Sequence, residues 1–223
     1  MTTVELRGIR KGYGENCVIR DACCSLGTGI HLIEGANGAG KTTLLDMIAG
    51  ICKPTCGKVI IGGLEIEKHR KRCMASIAFA PARTLFFDGV SVEFAVRLFF
   101  SLRGRSIEHD VFHDFDPFGL RRYANVRFGD LSLGWQKRVI LHMVMGAKAD
   151  VLILDEPTIG LDLEAVGMLG ELMRCRDKHG TTILTCHDPR SLALSNYRQY
   201  VLERRGDGSV LLAGRPGNIS ANQ

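Results

Sequence analysis

IHLIEGANGAGKTTLLDMIAG, residues 30–50, is the stretch that decides the fold. An apolar run, His31-Leu32-Ile33, leads into the octet Gly35-Ala36-Asn37-Gly38-Ala39-Gly40-Lys41-Thr42. The octet fits the phosphate-binding pattern G-x-x-x-x-G-K-[ST], and a helix-like run, Thr43 to Ala49, follows directly. Glycines let the backbone curl around an anion with several N–H groups pointing inward. The helix that follows adds its positive N-terminal end. Lys41 has the reach for β- and γ-phosphates, and the Thr42 hydroxyl suits Mg²⁺. A glycine-rich turn could match the pattern by accident, but it would not need an apolar strand before it and a helix after it. The stretch therefore predicts nucleoside triphosphate binding.

Working outward, the N-terminal third reads as strands, Thr3 to Arg10 and Cys17 to Ser25, around a turn at Lys11-Gly12-Tyr13-Gly14. The helix after Lys41 should stop at Gly50, with Pro54 as a second stop signal. Lys58 to Gly63 reads as strand and turn, and Ser76 to Ala80 as a short strand closed by Pro81. From about residue 85 to 147 aromatics and arginines recur at helical spacings around a loop-like patch, His113 to Gly119. This predicts a helical subdomain inserted in an α/β core. Asp150 to Asp155 is the continuous apolar run of a buried parallel strand. A helix is expected over Leu163 to His179, then a buried strand, Thr181 to Thr185, and a hairpin turning at Gly206-Asp207-Gly208.

A chain of 223 residues accommodates one domain with an inserted subdomain, or two small ones. Its apolar content of 45% and charged content of 24% are ordinary for a globular protein. The excess of basic residues is mild, net +5, and scattered, so a solvated surface explains it and no nucleic-acid partner is expected. The 8 cysteines have no disulfide-framework or zinc-site spacing and read as reduced thiols. No apolar run is long enough to cross a bilayer, and Met1 to Leu6 lacks the pattern of a secretory signal.

The buried strand ending at Asp155 is followed by Glu156 and Pro157. A carboxylate at such a strand end can hold Mg²⁺ through water, and its acidic neighbour can orient or deprotonate an attacking water. Two adjacent acids could instead cap the next helix.

At this point the chain resembles the ATP-binding subunits of ABC transporters. Gly35 to Thr43 looks like the family's Walker A, and Val151 to Pro157 like its Walker B. Ile159-Gly160-Leu161-Asp162 resembles the D-loop, and Thr185-Cys186-His187-Asp188 the switch-histidine segment. Leu131-Ser132-Leu133-Gly134-Trp135-Gln136-Lys137-Arg138 resembles the signature segment, usually LSGGQ. The likeness covers essentially the whole chain, in family order. It implies one α/β domain over residues 1–223, with a P-loop NTPase (RecA-like) core, an N-terminal antiparallel β portion and a helical subdomain near 85–147. It also implies ATP and Mg²⁺ as cofactors. Gly35, Asn37, Gly38, Ala39, Gly40, Lys41, Thr42 and Thr43 would hold the phosphates, and Thr42 and Asp155 the metal. Glu156 and His187 would be catalytic. Tyr13 would stack on adenine, while Ser132, Gly134 and Asp162 would complete the site across a dimer interface. The implied partners are a transmembrane permease subunit and a second ATP-binding subunit, identical or not, at the cytoplasmic membrane face. The short length and the LSLG form suggest export.

The chain departs from the family pattern in two places. Ala82 stands where a glutamine usually follows the Q-loop proline, here Pro81, unless the alignment is shifted and Arg83 reaches the site. In the signature, Leu133 replaces a glycine and Trp135 the glutamine. Intact Lys41, Thr42, Asp155, Glu156 and His187 beside Ala82 predict ATP binding with slow or partner-dependent turnover. A catalytically weak gate in a heterodimer, a soluble ABC-type ATPase acting on ribosomes or DNA, and a P-loop kinase or GTPase are the rival readings.

Overall fold

The computed structural model describes residues 3–83, 88–105, 110–206 and 208–217, with side chains through residue 210. Asp207 of the tail turn lies outside the described residues. In chain order the elements are β1 (Val4–Tyr13), β2 (Asn16–Leu26), β3 (Gly29–Glu34), α1 (Lys41–Ile48), β4 (Cys56–Ile61), β5 (Leu64–Glu65), α2 (Arg70–Ser76) and β6 (Ile77–Ala80). They continue with α3 (Val92–Leu102), α4 (Leu133–Gly146), β7 (Val151–Leu154), α5 (Leu163–Arg176), β8 (Thr181–Leu184), β9 (Tyr197–Arg205) and β10 (Gly208–Gly217).

The ten strands among the described residues join one sheet in the order β5-β4-β1-β2-β10-β9-β3-β8-β7-β6. From β9 to β6 the neighbours run parallel, whereas β2, β1, β4 and β5 pair antiparallel. β10 joins the two halves, antiparallel to β9 and parallel to β2.

The unbroken apolar runs follow from where this sheet sits. Val151 and Ile153 of β7 point into a core shared with α1 and the N-terminal strands, while Leu152 and Leu154 point into a second core with α3, α4 and α5. Ile183 and Leu184 of β8 divide the same way. A strand covered on both faces has no polar side to show, so period-2 alternation disappears. Register then sets the functional edge. Leu32 pairs with Leu184, Leu184 with Leu154, and Leu154 with Ala80, so the residues after β3, β6, β7 and β8 emerge together. In open α/β sheets this carboxyl edge is where ligands bind.

Several predicted boundaries move. β1 runs through Tyr13, which pairs with Asn16, so the turn expected at Lys11–Gly14 shrinks to Gly14-Glu15. Helix α2 was not expected at all: it is short and basic and buries only Cys73, so no apolar period marks it. It absorbs Ser76, and β6 begins one residue later than expected. α5 ends at Arg176, short of His179. The stop at Gly50 holds: α1 closes through Ala49, and Gly50 takes φ 68°, the left-handed conformation glycine favours after a helix.

Candidate functional site

A cavity of about 320 Å³ lies on the carboxyl edge, lined by Val18, Asn37, Gly38, Gly40, Lys41, Thr42, Thr43, Asp155, Glu156 and His187. The loop between β3 and α1 forms its floor. Gly40 precedes the helix at φ 96°, and a Cβ there would lie 2.8 Å from Val18 Cγ1, so the turn requires glycine. No side chain caps α1, which leaves its first N–H groups free of an intrahelical acceptor. That is an anion cradle by construction. Lys41 Nζ folds back over the loop, donating to the Gly35 carbonyl at 2.7 Å and to that of Ala36 at 3.3 Å.

The opposite wall is acidic. Asp155, 1% exposed, accepts from the Thr42 hydroxyl at 2.8 Å and from the Thr185 hydroxyl at 2.6 Å. Thr185 Oγ1 also accepts the Glu156 N–H at 2.9 Å. Glu156 is 8% exposed and sits at φ 46°, a strained conformation for a residue with a side chain. Its Oε2 accepts the His187 backbone N–H at 3.1 Å, and His187 Nε2 stands 3.7 Å from Oε1. Burial first, then the negative charge of Asp155, raises the Asp46 carboxyl above its usual range. The field on this wall is therefore one that a cation would relieve.

The other sequence-predicted residues lie elsewhere. Ala39 is buried beside the loop, and Gly35 approaches β9, where an added Cβ would meet the Leu202 carbonyl at 2.5 Å. Tyr13 is exposed beyond Thr43, with Lys11 Nζ 4.7 Å above its ring. Ser132 caps α4, its Oγ accepting the Trp135 N–H at 3.5 Å. Gly134 comes so close to the loop before α5 that a Cβ would lie 2.5 Å from the Gly160 carbonyl. Asp162 caps α5 through the Ala165 N–H at 2.9 Å and pairs with Arg138. None of Tyr13, Ser132, Gly134 and Asp162 lines the cavity, and neither does Arg83, which is exposed.

Trp135 packs at 4.4 Å between centroids against Tyr123, with the Arg122 and Arg138 guanidiniums 4.8 and 4.1 Å from its own ring centre. Its ring is committed to this stack. Two residues at the edge lie in motifs quoted from the sequence but were given no role there. Thr185 is buried and bonded to both acids' segment; only its position at a strand end hinted at this. Lys137 is buried and reaches the Pro81 carbonyl; its place at the end of the signature segment does not reveal that partner.

Among known proteins, the ABC transporter family model matches residues 24–159. The chain belongs to the ABC transporter family. Nod factor export ATP-binding protein I of Rhizobium johnstonii is 32% identical over 229 residues, spanning 99% of this chain and 71% of that protein. A structure of an ATP binding subunit of an ABC transporter superposes with a TM-score of 0.82 at 21% identity, covering 97% of this chain and 90% of that one. The dimeric structure of MJ0796, a bacterial ABC transporter cassette, gives 0.78 at 19% identity over 98% and 100%. The chain is thus an ATP-binding subunit of the ABC transporter kind, an ATPase that drives transport, and the sheet described above is the ABC cassette's P-loop fold.

Proposed function

We propose that this ABC subunit binds ATP with Mg²⁺ in the cavity on the carboxyl edge and hydrolyses it to drive a separate membrane permease. The observation that carries the reading is the Thr42 hydroxyl 2.8 Å from Asp155, which brings Walker A and Walker B into contact across that cavity. Hydroxyl and carboxylate are the hard oxygen donors that Mg²⁺ prefers. When bound there by Thr42 and Asp155, the metal would neutralise charge on the β- and γ-phosphates.

The remaining roles fall to this chain's own groups. The free N–H groups of α1 and the Lys41 ammonium hold phosphate oxygens, the lysine exchanging its carbonyl partners for them. Glu156, fixed from its backbone by Thr185 and from its carboxylate by His187, is the group placed to orient a water. Ala82 presents a methyl where a polar side chain would assist, and this favours slow turnover or dependence on a companion subunit.

One ABC-type ATPase domain with a helical portion near 85–147 is the working unit. Among the described residues no helix is long and apolar enough to cross a membrane, so the permease is a separate polypeptide or segment. Leu133, Ile159 and Leu163 are all exposed around the Gly134–Gly160 contact, an apolar corner that suits a second ATP-binding subunit. There Ser132, Gly134 and Asp162 would complete the companion's site, and Tyr13 would take the adenine. The name of the Rhizobium relative supports export, and attachment at the cytoplasmic membrane face follows from the permease.

Magnesium-ATP added to the Glu156→Gln protein tests this. It should convert the chain, with its permease and any companion subunit, into a stable closed assembly seen by size exclusion. A nucleotide-independent elution profile, with wild-type turnover retained in the variant, would reject the proposal.

A further inference from the structure

Lys137 lies on α4, five residues beyond the Ser132 cap, and is 3% exposed. Its Nζ donates to the Pro81 carbonyl at 2.9 Å and reaches the Ala82 carbonyl at 3.5 Å. Burial lowers its amine to about 8, against the opposing pull of Asp155 and then Glu156. Burying an ammonium is unfavourable unless partners compensate, and an apolar side chain of the same length would fill the space at less cost. The lysine therefore needs a reason in the site.

The sheet supplies one. β6 is the terminal strand, so the loop leaving it has a neighbour on one side only. On that side the Asp155 N–H donates to the Ala80 carbonyl at 2.9 Å. The next two carbonyls, of Pro81 and Ala82, turn away from β7 toward Lys137. Ala82 has no polar side chain with which to anchor itself. The nearby negative charges of Asp155 and Glu156 favour the ammonium form there.

From this arrangement we infer that Lys137 is a positioning residue for hydrolysis: its buried ammonium pins the Pro81–Ala82 backbone between α4 and the Asp155–Glu156 edge. This rests on the proposed ATPase reading of that edge. It also ties the serine-capped helix to the loop leaving β6, whose Ala80 carbonyl accepts the Asp155 N–H.

Steady-state ATP hydrolysis by the full chain with its permease, wild type against Lys137→Met, tests it. Methionine keeps most of the length and removes every donor. KM for ATP should stay within about twofold while kcat falls at least about tenfold, as expected when geometry rather than binding is lost. The melting temperature should hold or rise. An unchanged kcat, or KM and kcat moving together with a loss of melting temperature, overturns the inference. If the methionine protein fails to fold, Lys137→Gln, which retains a donor without the charge, is read by the same split: a larger effect on kcat than on KM supports it, and equal effects overturn it. A wild-type complex that hydrolyses no ATP would defeat the functional reading instead. Amide exchange across residues 79–83 then decides the role of Lys137: faster exchange in Lys137→Met supports the pin, and unaltered exchange removes it.

Discussion

The nucleotide edge and the helical layer of α3 and α4 are held together by different physics. At the edge each polar side chain is fixed by short directed bonds: Thr42 and Thr185 on Asp155, Thr185 on the Glu156 N–H, the His187 N–H on Glu156. In the layer the fixing is by rings. His142 sits among Phe100, Phe112 and Phe115 with centroids 5.3–6.5 Å away, and Trp135 lies against Tyr123 and two arginines. Directed bonds depend on the identity of each atom, whereas ring packing depends chiefly on volume and shape. The chain leaves its family's pattern on both sides of this contrast. Trp135 falls in the ring-packed layer and Leu133 on its exposed rim, while Ala82 follows β6 beside the edge.

The strongest way to break this contrast is at Glu156. Glu156→Gln keeps the size and removes the carboxylate proposed to orient the water, so ATP turnover should fall by about 10²–10⁴-fold with binding retained. Lys41→Ala should do the reverse and weaken ATP binding itself, measured with a fluorescent nucleotide. Thr185→Val comes next. It preserves shape while leaving the Glu156 N–H and one Asp155 oxygen without their partner in a buried place. Losing two such bonds should destabilise the protein by about 2–4 kcal/mol in denaturant unfolding. Turnover should fall with it, since the backbone of Glu156 is no longer held at its strained angle. A valine protein of wild-type stability would show that the edge tolerates packing in place of bonds.

The same contrast explains what could be read in advance. The β3–α1 loop was legible because anion binding there needs glycines at particular backbone angles, and those leave a spelling. β7 and β8 were legible because burial on both faces removes polar residues. Thr185 and Lys137 were not, because their importance arises from partners far along the chain, Asp155 at 30 residues and Pro81 at 56. α2 was missed for the opposite reason: it buries almost nothing, so no period appears. The extra length of β1 depends on pairing with β2 and β4, which local sequence does not display.

His142 sharpens the comparison from the layer's side. It is 1% exposed, and neither ring nitrogen has a hydrogen-bond partner among the described residues. Burial lowers it to about 4, with Asp116 opposing. The folded state therefore refuses a proton that the unfolded state accepts below its ordinary value near 6.5. Stability is full above that pH and is lost as pH falls toward 4. The depression corresponds to about 3 kcal/mol across the window. His142→Leu should flatten that slope in urea unfolding between pH 7 and 4.5. It should leave stability at pH 7 unchanged or higher, because it removes two unpaired polar atoms and keeps the volume. An undiminished acid slope would place the titration in another group.

The smallest effects separate two neighbouring substitutions in the signature segment. Trp135→Ala removes an aromatic body packed on Tyr123 and two guanidiniums, contacts worth about 0.5–1.5 kcal/mol each beyond buried area at partly shielded sites. A loss of about 2 kcal/mol in unfolding free energy is expected from that stack. Leu133 is 78% exposed at the first position of α4, and its replacement by alanine removes little that the chain itself packs. Stability should move by less than about 0.5 kcal/mol, as for other exposed positions. Yet Leu133 stands beside the Gly134–Gly160 contact, on the corner proposed to meet a second ATP-binding subunit. Leu133→Ala should therefore weaken ATP-driven association of the Glu156→Gln protein while its melting temperature stays put. If association were unaffected, the exposed leucine would be an ordinary surface residue, and the layer's tolerance would extend to its outermost turn.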